Sequence, residues 1–323
     1  MFCSLKPTFD SDPSRVVSLY PAGTEIVALL NAEHLIIGRS HECDWPCSLA
    51  KVPVLTTPNI DPTLSSADID IAVKTSGDQP LFTLDTKQLE ELRPDLIITQ
   101  STCGICAIDT DTVFNAAKHI ELSHQCHPQI LSLNTSSLDD LFQDISRVAE
   151  AIKREDEAAK IIQTLTARCR HVVDKSATKT KSAKQKPRVA LIEWLDPPMS
   201  AGNWVPEMIQ MAGAIDTLEA DAGKSHWIDW ADVAAADPDI VILIPCGFEL
   251  ERVCAEAKTP AVWPHLKDLR ATCEGRLFGV DGHHLFNRPG PRLVDSLEVL
   301  AELLHPESFQ FEATHQFAKR IEP

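Results

Sequence analysis

Two pairs of side chains with metal-binding chemistry each follow a short apolar segment of the sequence. Cys103 and Cys106 form a C-x-x-C pair, and His41 and Cys43 lie in the loop after another apolar segment. Together the four would give a Cys3His set, which suits tetrahedral zinc, and iron accepts similar ligands. A redox dithiol and two unreactive thiols are the alternatives for the cysteine pair. The sequence therefore predicts a zinc or iron site, with both alternatives open.

Several aromatic side chains lie in loops, where they could cover a flat ligand. Trp194 and Trp204 flank an Asp-Pro-Pro turn that a core strand would not contain, and Trp45 lies in another loop after a strand. Broad indole faces cover a planar ligand at low entropic cost, and packing within the fold is the alternative. Phe248 would lie at the rim of the same site.

Two adjacent histidines, His283 and His284, follow a predicted strand. Imidazole is a ligand for transition metals, and a surface position without a ligand is the alternative. Arg288, just before the last helix, could anchor a polar group of a ligand or pair with an acidic side chain. The predicted ligand contacts are Tyr20, Trp45, Trp194, Trp204, Phe248, His284 and Arg288.

None of the common catalytic or nucleotide-binding motifs follows a predicted strand. The sequence contains no G-x-S-x-G elbow, no Walker loop and no G-x-G-x-x-G. Paired carboxylates such as Asp139 and Asp140 lie where a helix is predicted to begin, and the positive end of that helix stabilises them there. We therefore expect a binding protein and not an enzyme.

The chain has 323 residues, of which 44% are hydrophobic, and a formal net charge of −17. This composition predicts a soluble globular protein, and the negative charge argues against nucleic-acid partners. No apolar run reaches the ~18 residues that span a bilayer, so we expect no membrane insertion. The first residues show no export signal. We therefore expect a cytoplasmic protein, or one outside the cytoplasm if a signal has been removed, with its cysteines as free thiols or metal ligands.

Short apolar strands alternate with helices along both halves of the chain, which predicts an α/β fold with parallel sheets. In each half a helix is followed by a Pro-Asp pair and an apolar strand, at Pro94-Asp95 and at Pro238-Asp239. Ligands usually lie in the loops after the carboxyl ends of parallel strands, where the candidate residues are found. The predicted strands lie near residues 15–19, 36–39, 95–99, 130–133, 188–194, 240–244 and 277–280.

Residues 137–173 contain no proline or glycine, and their apolar residues recur at helical spacing. This pattern predicts one long helix, or two with a bend, between two lobes. We therefore expect an N-terminal lobe over residues 1–136, a linking helix over 137–174 and a C-terminal lobe over 175–323. The lysine-rich residues 175–186 should form a solvated loop.

Five blocks of the sequence resemble the cobalamin-binding proteins of the Fe/B12 periplasmic-binding, or helical-backbone metal receptor, superfamily. With gaps, they cover most of the chain between Arg15 and Pro306. The blocks read RVVSLYPAGTEIVALLNAEHLIIGRSHECDWP, LRPDLIITQSTCGICA, EWLDPPMSAGNWVPEMIQMAGA, DPDIVILIPCGF and GVDGHHLFNRPGPRLVDSLEVLAELLHPE.

The resemblance implies two Rossmann-like lobes with parallel central sheets joined by one long backbone helix, the class III periplasmic-binding architecture. It implies a non-catalytic protein, which we expect to be monomeric, that clamps cobalamin, another corrinoid or a metal chelate between its lobes. His284 could then contact the metal of that ligand.

The resemblance also implies an ABC permease as partner, docked through one acidic residue on each lobe. Glu207 is the candidate in the second lobe, and an insertion at residues 59–80 leaves the first-lobe residue unassigned. The alternative function is an intracellular metalloprotein that holds zinc or iron through His41, Cys43, Cys103 and Cys106.

Overall fold

A computed structural model describes residues 13–77, 79–100, 110–124, 127–179, 186–218 and 223–322. The chain divides into two compact units. The first comprises Met1–Asn59, Pro80–Thr135 and Phe142–Ile162, and the second comprises Ile60–Gln79, Ser136–Leu141 and Gln163–Pro323. Among the described helices, none combines the length and the apolar character needed to cross a bilayer.

The first unit is built on a parallel sheet of four strands in the order β2-β1-β5-β6, and β3 and β4 form a separate antiparallel pair. Residues of the central strands, such as Val17 and Ile97, are fully buried, as expected for a parallel sheet covered on both faces. The elements of this unit are β1 Val16–Ser18, α1 Pro21–Leu29, β2 Ile36–Arg39, β3 Thr56–Pro58, β4 Phe82–Leu84, α3 Thr86–Leu92, β5 Leu96–Gln100, α4 Thr110–His124 and β6 Gln129–Leu133, with 3-10 helices at Glu33–Leu35 and Cys47–Lys51.

The second unit is built on a mixed sheet in the order β10-β8-β7-β11-β12-β13, with β9 also paired to β7. Strands β7, β11 and β12 are parallel and form its centre, whereas β8, β10 and β13 pair antiparallel to their neighbours. Its elements are α2 Ser66–Ser76, β7 Arg188–Leu195, β8 Pro198–Ser200, α7 Val205–Met211, β9 Ile215–Asp216, β10 His226–Trp227, α8 Trp230–Ala236, β11 Ile240–Leu243, α9 Leu250–Ala257, α10 Trp263–Leu266, α11 Arg270–Cys273, β12 Leu277–Val280, α12 Leu293–Leu304, α13 Glu312–Phe317 and β13 Ala318–Arg320.

The seven strands predicted from the sequence are all present, and the α/β class is confirmed. The short strands β3, β4, β8, β9, β10 and β13 were not predicted, because each has only two or three residues and shows no alternation pattern.

A brace of hydrogen bonds closes the amino end of the first sheet. Helix α3 ends at Arg93, whose φ of 43° is left-handed, and Pro94 prevents the helix from continuing. The carboxylate of Asp95 accepts a hydrogen bond from the backbone N of Arg15 at 3.1 Å. The guanidinium of Arg15 in turn donates to the carbonyl of Leu92 at the end of α3, with Nε at 3.0 Å.

The second sheet has the same brace. Helix α8 ends at Asp237, whose φ is 41°. The carboxylate of Asp239 accepts from the backbone N of Arg188 at 2.8 Å, and the guanidinium of Arg188 donates to the carbonyl of Ala236 at 2.8 Å. The Pro-Asp pairs of the sequence therefore mark the same local structure in both units.

The region predicted as a linking helix forms two helices, α5 Leu138–Ile152 and α6 Glu155–Lys179. The helix breaks at Lys153, which has a left-handed φ of 56°, and the backbone N of Arg154 caps α5 by donating to Ala149 O at 2.9 Å. Helix α6 also continues to Lys179, so the first part of the predicted lysine-rich loop is helical, and residues 180–185 lie outside the described part of the chain.

The two compact units differ from the predicted domain boundaries in one important place. Residues 60–79, which we placed in the N-terminal lobe, group with the second unit. The reason is that α2 packs on that unit: Ile69 lies against its hydrophobic core, and Ser66 donates hydrogen bonds to Glu256 of α9. Sequence position alone could not show this placement.

Candidate functional site

The central strands of the second unit carry a cluster of aromatic and charged side chains at their carboxyl ends. Trp194 is the last residue but one of β7, Phe248 lies in the loop after β11, and residues 281–284 follow β12. Because β7, β11 and β12 are parallel, these ends meet at one edge of the sheet, which is the usual ligand-binding edge of such folds. We call this the second-unit edge.

Trp194 and Phe248 form the aromatic part of the second-unit edge. Their ring centroids lie 5.4 Å apart in an edge-to-face arrangement. Phe248 is only 1% exposed, whereas Trp194 is partly exposed. We predicted Phe248 at the rim of the site, but it is a core residue whose ring packs against that of Trp194.

The indole nitrogen of Trp194 is a buried hydrogen-bond donor. Nε1 finds no acceptor among the described residues. Leaving such a donor unsatisfied costs about 1–3 kcal/mol, so a ligand oxygen that reached it would gain a favourable interaction. Nothing in the sequence distinguishes this indole from the other five, because the lack of an acceptor depends on the residues that surround it in the folded protein.

Asp281 orients the histidines of the second-unit edge. One of its carboxylate oxygens accepts from the backbone N of His283 at 3.0 Å and of His284 at 2.6 Å, and the other lies 3.0 Å from Nδ1 of His284. Burial by itself would raise the pKa of Asp281, but the hydrogen bonds from His284 and the neighbouring imidazoles outweigh it and lower that pKa. With Nδ1 donating to this carboxylate, the ring of His284 is fixed in orientation, as the imidazole ligands of metal sites commonly are.

The side chains of Arg288 and His283 contact each other. Arg288 is 5% exposed, and a guanidinium nitrogen lies 3.1 Å from Nε2 of His283. Because the guanidinium can only donate, this nitrogen of His283 accepts and its Nδ1 carries the proton. The side chain of His284 is 23% exposed, so a ligand can reach it.

The backbone of the second-unit edge is tightly packed. A Cβ atom on Gly282 would lie 2.2 Å from the carbonyl oxygen of Pro245, so only glycine fits between the two loops. The amide of Asn287 donates to the carbonyls of Ile244 at 2.6 Å and Gly282 at 3.2 Å, which ties the loop after β12 to the end of β11. The histidines therefore stand on a rigid loop.

Trp204 has a structural position. It is buried, and its Nε1 donates to the carbonyl of Phe286 at 2.6 Å, while Phe286 itself is fully buried. We predicted that Trp204 faces a ligand, but its side chain is buried and its indole N–H already donates to a carbonyl of the second unit.

The corresponding edge of the first unit consists mainly of small polar groups. Tyr20 is buried directly after β1. Thr24 Oγ1 donates to Ser18 Oγ at 2.8 Å and lies 3.0 Å from Sγ of Cys43, all three being buried. Trp45, by contrast, is 39% exposed, and of the predicted contacts in this unit it offers the largest accessible face. We call this the first-unit edge.

The predicted metal set is described only in part. Nδ1 of His41 lies 2.6 Å from the hydroxyl of Thr56, and the buried thiol of Cys43 lies within hydrogen-bond distance of Ser18 and Thr24. Cys103 and Cys106 lie outside the described residues. The Cys3His site therefore stays a prediction, and filling it would require Cys43 to leave its present partners.

Glu207, the candidate for docking, is engaged inside the second unit. Its carboxylate accepts a hydrogen bond from the backbone N of Leu138, the first residue of α5, at 3.1 Å. Asp281 was missed in the sequence, although its position directly after a predicted strand and before two histidines could have indicated it.

The sequence profile of the periplasmic binding protein family matches residues 16–267. Because this match covers most of the chain, the protein belongs to the periplasmic binding protein family. A curated relative, the uncharacterised ABC transporter substrate-binding lipoprotein YvrC of Bacillus subtilis (strain 168), is 21% identical over 306 residues, which cover 94% of this chain and 83% of the relative.

Solved structures of the same fold include two whose ligands are named. A periplasmic heme binding protein from Pseudomonas aeruginosa has a TM-score of 0.72 and 20% identity, covering 96% of this chain and 99% of its own. The periplasmic vitamin B12 binding protein BtuF of Vibrio cholerae has a TM-score of 0.65 and 16% identity, covering 93% and 99%. At these identities the likeness establishes the fold.

Proposed function

We propose that this protein is the non-catalytic substrate-binding component of an ABC importer, that it acts outside the cytoplasm, and that its ligand is a corrinoid or a related metal chelate. Family membership and the substrate-binding relative support the transport role and favour the extracytoplasmic alternative over the cytoplasmic one. The B12-binding and heme-binding proteins that share the fold support the ligand class.

The observation that carries the ligand class is the chemistry of the second-unit edge. It combines a partly exposed indole whose buried N–H has no acceptor among the described residues with an imidazole held by a buried carboxylate. A corrinoid presents a flat face, amide carbonyls that can accept from Trp194 Nε1, and a metal that imidazole can bind. Heme offers a flat face, carboxylates and iron. Both ligands therefore fit the donor set, and cobalamin is the first to be tested.

The experiment is a calorimetric and fluorescence titration of the protein with cyanocobalamin and, in parallel, with hemin. We expect binding of one of them in the micromolar range or tighter, with quenching of tryptophan emission. The variant His284→Gln should weaken that binding by about tenfold, the cost of one lost metal or hydrogen-bond contact, and His265→Gln should leave it unchanged.

His265 is a matched control because it is an exposed histidine of the second unit that stacks on Trp230 and lies in α10, not at the second-unit edge. The absence of heat and of quenching with both ligands would contradict the proposal. Native mass spectrometry of protein purified from its own host would then identify whatever small molecule it retains.

Two parts of this proposal concern the first unit and the partner. Tyr20 and Trp45 are proposed as further ligand contacts, and Trp45→Ala should weaken binding while leaving the free energy of unfolding nearly unchanged, because this side chain is exposed.

The permease partner and the monomeric state are proposals that rest on the substrate-binding relative and the sequence. Co-purification with the permease encoded by the same host tests the first, and sedimentation the second.

The metalloprotein alternative has its own test. Zinc and iron content should be measured in untagged protein and in the variant Cys103→Ser. Loss of a stoichiometric metal in this variant would support the Cys3His site, whereas equal metal content in both proteins would remove it.

A further inference from the structure

Residues 60–79 form a segment, here called the strap, that is held on the second unit by helix α9. The guanidinium of Arg252 donates to the carbonyls of Pro62 and Leu64, both at 2.5 Å. Four residues along the same helix, the carboxylate of Glu256 accepts from the backbone N of Ser66 at 2.8 Å and from its hydroxyl at 2.6 Å. The start of α2 is therefore fixed by two charged side chains that face the same way, because they are one helical turn apart.

The middle and the end of the strap are held as well. Ile69 packs against the hydrophobic core of the second unit, and α2 contacts strand β7. Near the end of α2, Nζ of Lys74 lies 5.2 Å from the centroid of the Trp227 ring in β10. A helix of 11 residues is ~16 Å long, and α2 contacts α9 at its start, β7, and β10 near its end.

Arg252 connects the strap to the aromatic part of the second-unit edge. Its guanidinium carbon lies 3.4 Å from the centroid of the Phe248 ring, and the Phe248 ring packs edge-to-face against Trp194. Ile69 of the strap and Trp194 of β7 pack against the same core cluster. One guanidinium thus contacts both the backbone of the strap and the ring that supports the candidate ligand-binding indole.

We propose that the strap and Arg252 are positioning elements of the ligand-binding edge: Arg252, tied down by the strap, holds Phe248, and Phe248 fixes the orientation of Trp194. A binding side chain that is held in place before the ligand arrives loses less entropy on binding. The ligand part of this statement rests on the proposed function, whereas the positioning of Trp194 does not.

The test compares Arg252→Gln with Lys258→Gln. Lys258 is the exposed C-terminal cap of the same helix, and among the described residues it makes no hydrogen bond to the strap. Its variant therefore removes one positive charge and leaves the contacts between α9 and the strap in place. Arg252→Gln should weaken binding of cyanocobalamin or hemin by about tenfold, as expected for loss of charge-assisted hydrogen bonds, and Lys258→Gln should not.

Two measurements need no ligand. Trypsin cleavage after Lys74 requires α2 to leave the second unit or unfold locally, so Arg252→Gln should raise the rate of this cut several-fold. Arg252→Gln should also change the tryptophan emission spectrum. Measured in a Trp227→Phe background, which removes the indole that Lys74 of the strap contacts, this change should disappear when Trp194→Phe is added, because it then reports the surroundings of Trp194.

A conservative pair separates positioning from general destabilisation. Glu256→Gln keeps an oxygen that can accept both bonds from Ser66 and should behave as the wild type in cleavage and binding. Glu256→Ala removes that oxygen and should behave as Arg252→Gln, at unchanged circular dichroism.

Unchanged Trp194 emission and unchanged cleavage in Arg252→Gln would overturn the proposal. Faster cleavage with unchanged ligand affinity would also overturn it, since the strap would then be docked without serving the site. If the wild type binds neither ligand, the proposed function fails, and the emission and cleavage results still decide whether the strap positions Trp194.

Discussion

The edges of the two parallel sheets occupy the same topological position and are built from different side chains. At the first-unit edge, Ser18, Thr24 and Cys43 are small, buried and bonded to one another. At the second-unit edge, Trp194 and His284 are larger and remain partly exposed. The small polar groups of the first edge bond to one another, whereas the second edge carries the indole of Trp194, whose N–H has no acceptor among the described residues.

This difference teaches that the position of a loop after a parallel strand does not by itself make a binding site. What distinguishes the second-unit edge is a buried donor without an acceptor among the described residues, Trp194 Nε1, beside an imidazole that Asp281 holds in place. The following predictions test the comparison, from the largest expected effect to the smallest.

The largest effect is expected from alanine at the glycines of the two edges. Gly282→Ala would place Cβ 2.2 Å from the backbone oxygen of Pro245, whereas Gly23→Ala would place it 2.5 Å from a side-chain methyl of Ile98, which can move. We expect Gly282→Ala to lower the free energy of unfolding by about 3 kcal/mol or more and Gly23→Ala by about 1–3 kcal/mol. Urea denaturation of both variants measures this, and a larger loss in Gly23→Ala would contradict the account of a rigid second-unit edge.

Removing the hydroxyl of Thr24 should affect stability and not binding. Thr24→Val leaves Ser18 and Cys43 with a missing partner in a buried place, which should cost about 1–3 kcal/mol in the free energy of unfolding. Ligand affinity, measured by calorimetry well below the unfolding midpoint, should stay the same. A loss of affinity without loss of stability would mean that Thr24 itself contacts the ligand.

Removing the indole N–H of Trp194 should affect ligand binding and not stability. Trp194→Phe keeps an aromatic ring and deletes a donor that has no acceptor among the described residues, so the free energy of unfolding should change by less than about 1 kcal/mol. Affinity for the ligand should fall about tenfold. Trp263→Phe, which alters another tryptophan packed on the same core, is the control and should leave affinity unchanged.

The smallest effect is expected from acid. The folded state lowers the pKa of Asp281, so its carboxylate contributes stability that is complete above the unfolded pKa of about 4 and is lost as the pH falls through the lower folded value. Asp281→Asn should therefore flatten the decline of the urea midpoint below pH ~4 compared with the wild type. Parallel declines in the two proteins would show that Asp281 is not a source of acid sensitivity.

Much of the fold could be predicted from the sequence, because parallel strands are short apolar runs and the Pro-Asp pairs mark where helices end. The break in the linking region could not, since Lys153 takes a left-handed φ without glycine or proline nearby. The placement of residues 60–79 depends on contacts of Arg252 and Glu256 from far along the chain.

The candidate site was predicted less completely. The position of residues 281–284 after a strand led to His284, but the same reasoning selected Trp204 and Phe248, which are buried. Loop position predicts that a side chain is near the edge of a sheet, and it does not predict whether the side chain points outward or is covered. That depends on contacts with residues distant in sequence, such as the carbonyl of Phe286 that accepts from the indole of Trp204.

The brace at the amino end of each sheet has a consequence for the history of the chain. The pairing of Arg15 with Asp95 recurs at equivalent positions as Arg188 with Asp239, including a guanidinium bond to the end of the preceding helix. Such a recurrence is what the duplication of one ancestral strand–helix–strand segment would leave behind. If the braced ends of the two sheets are copies of one segment, the copies diverged in the loops at the opposite ends of the strands. Exchanging those loops alone then offers a way to change the ligand specificity of either unit.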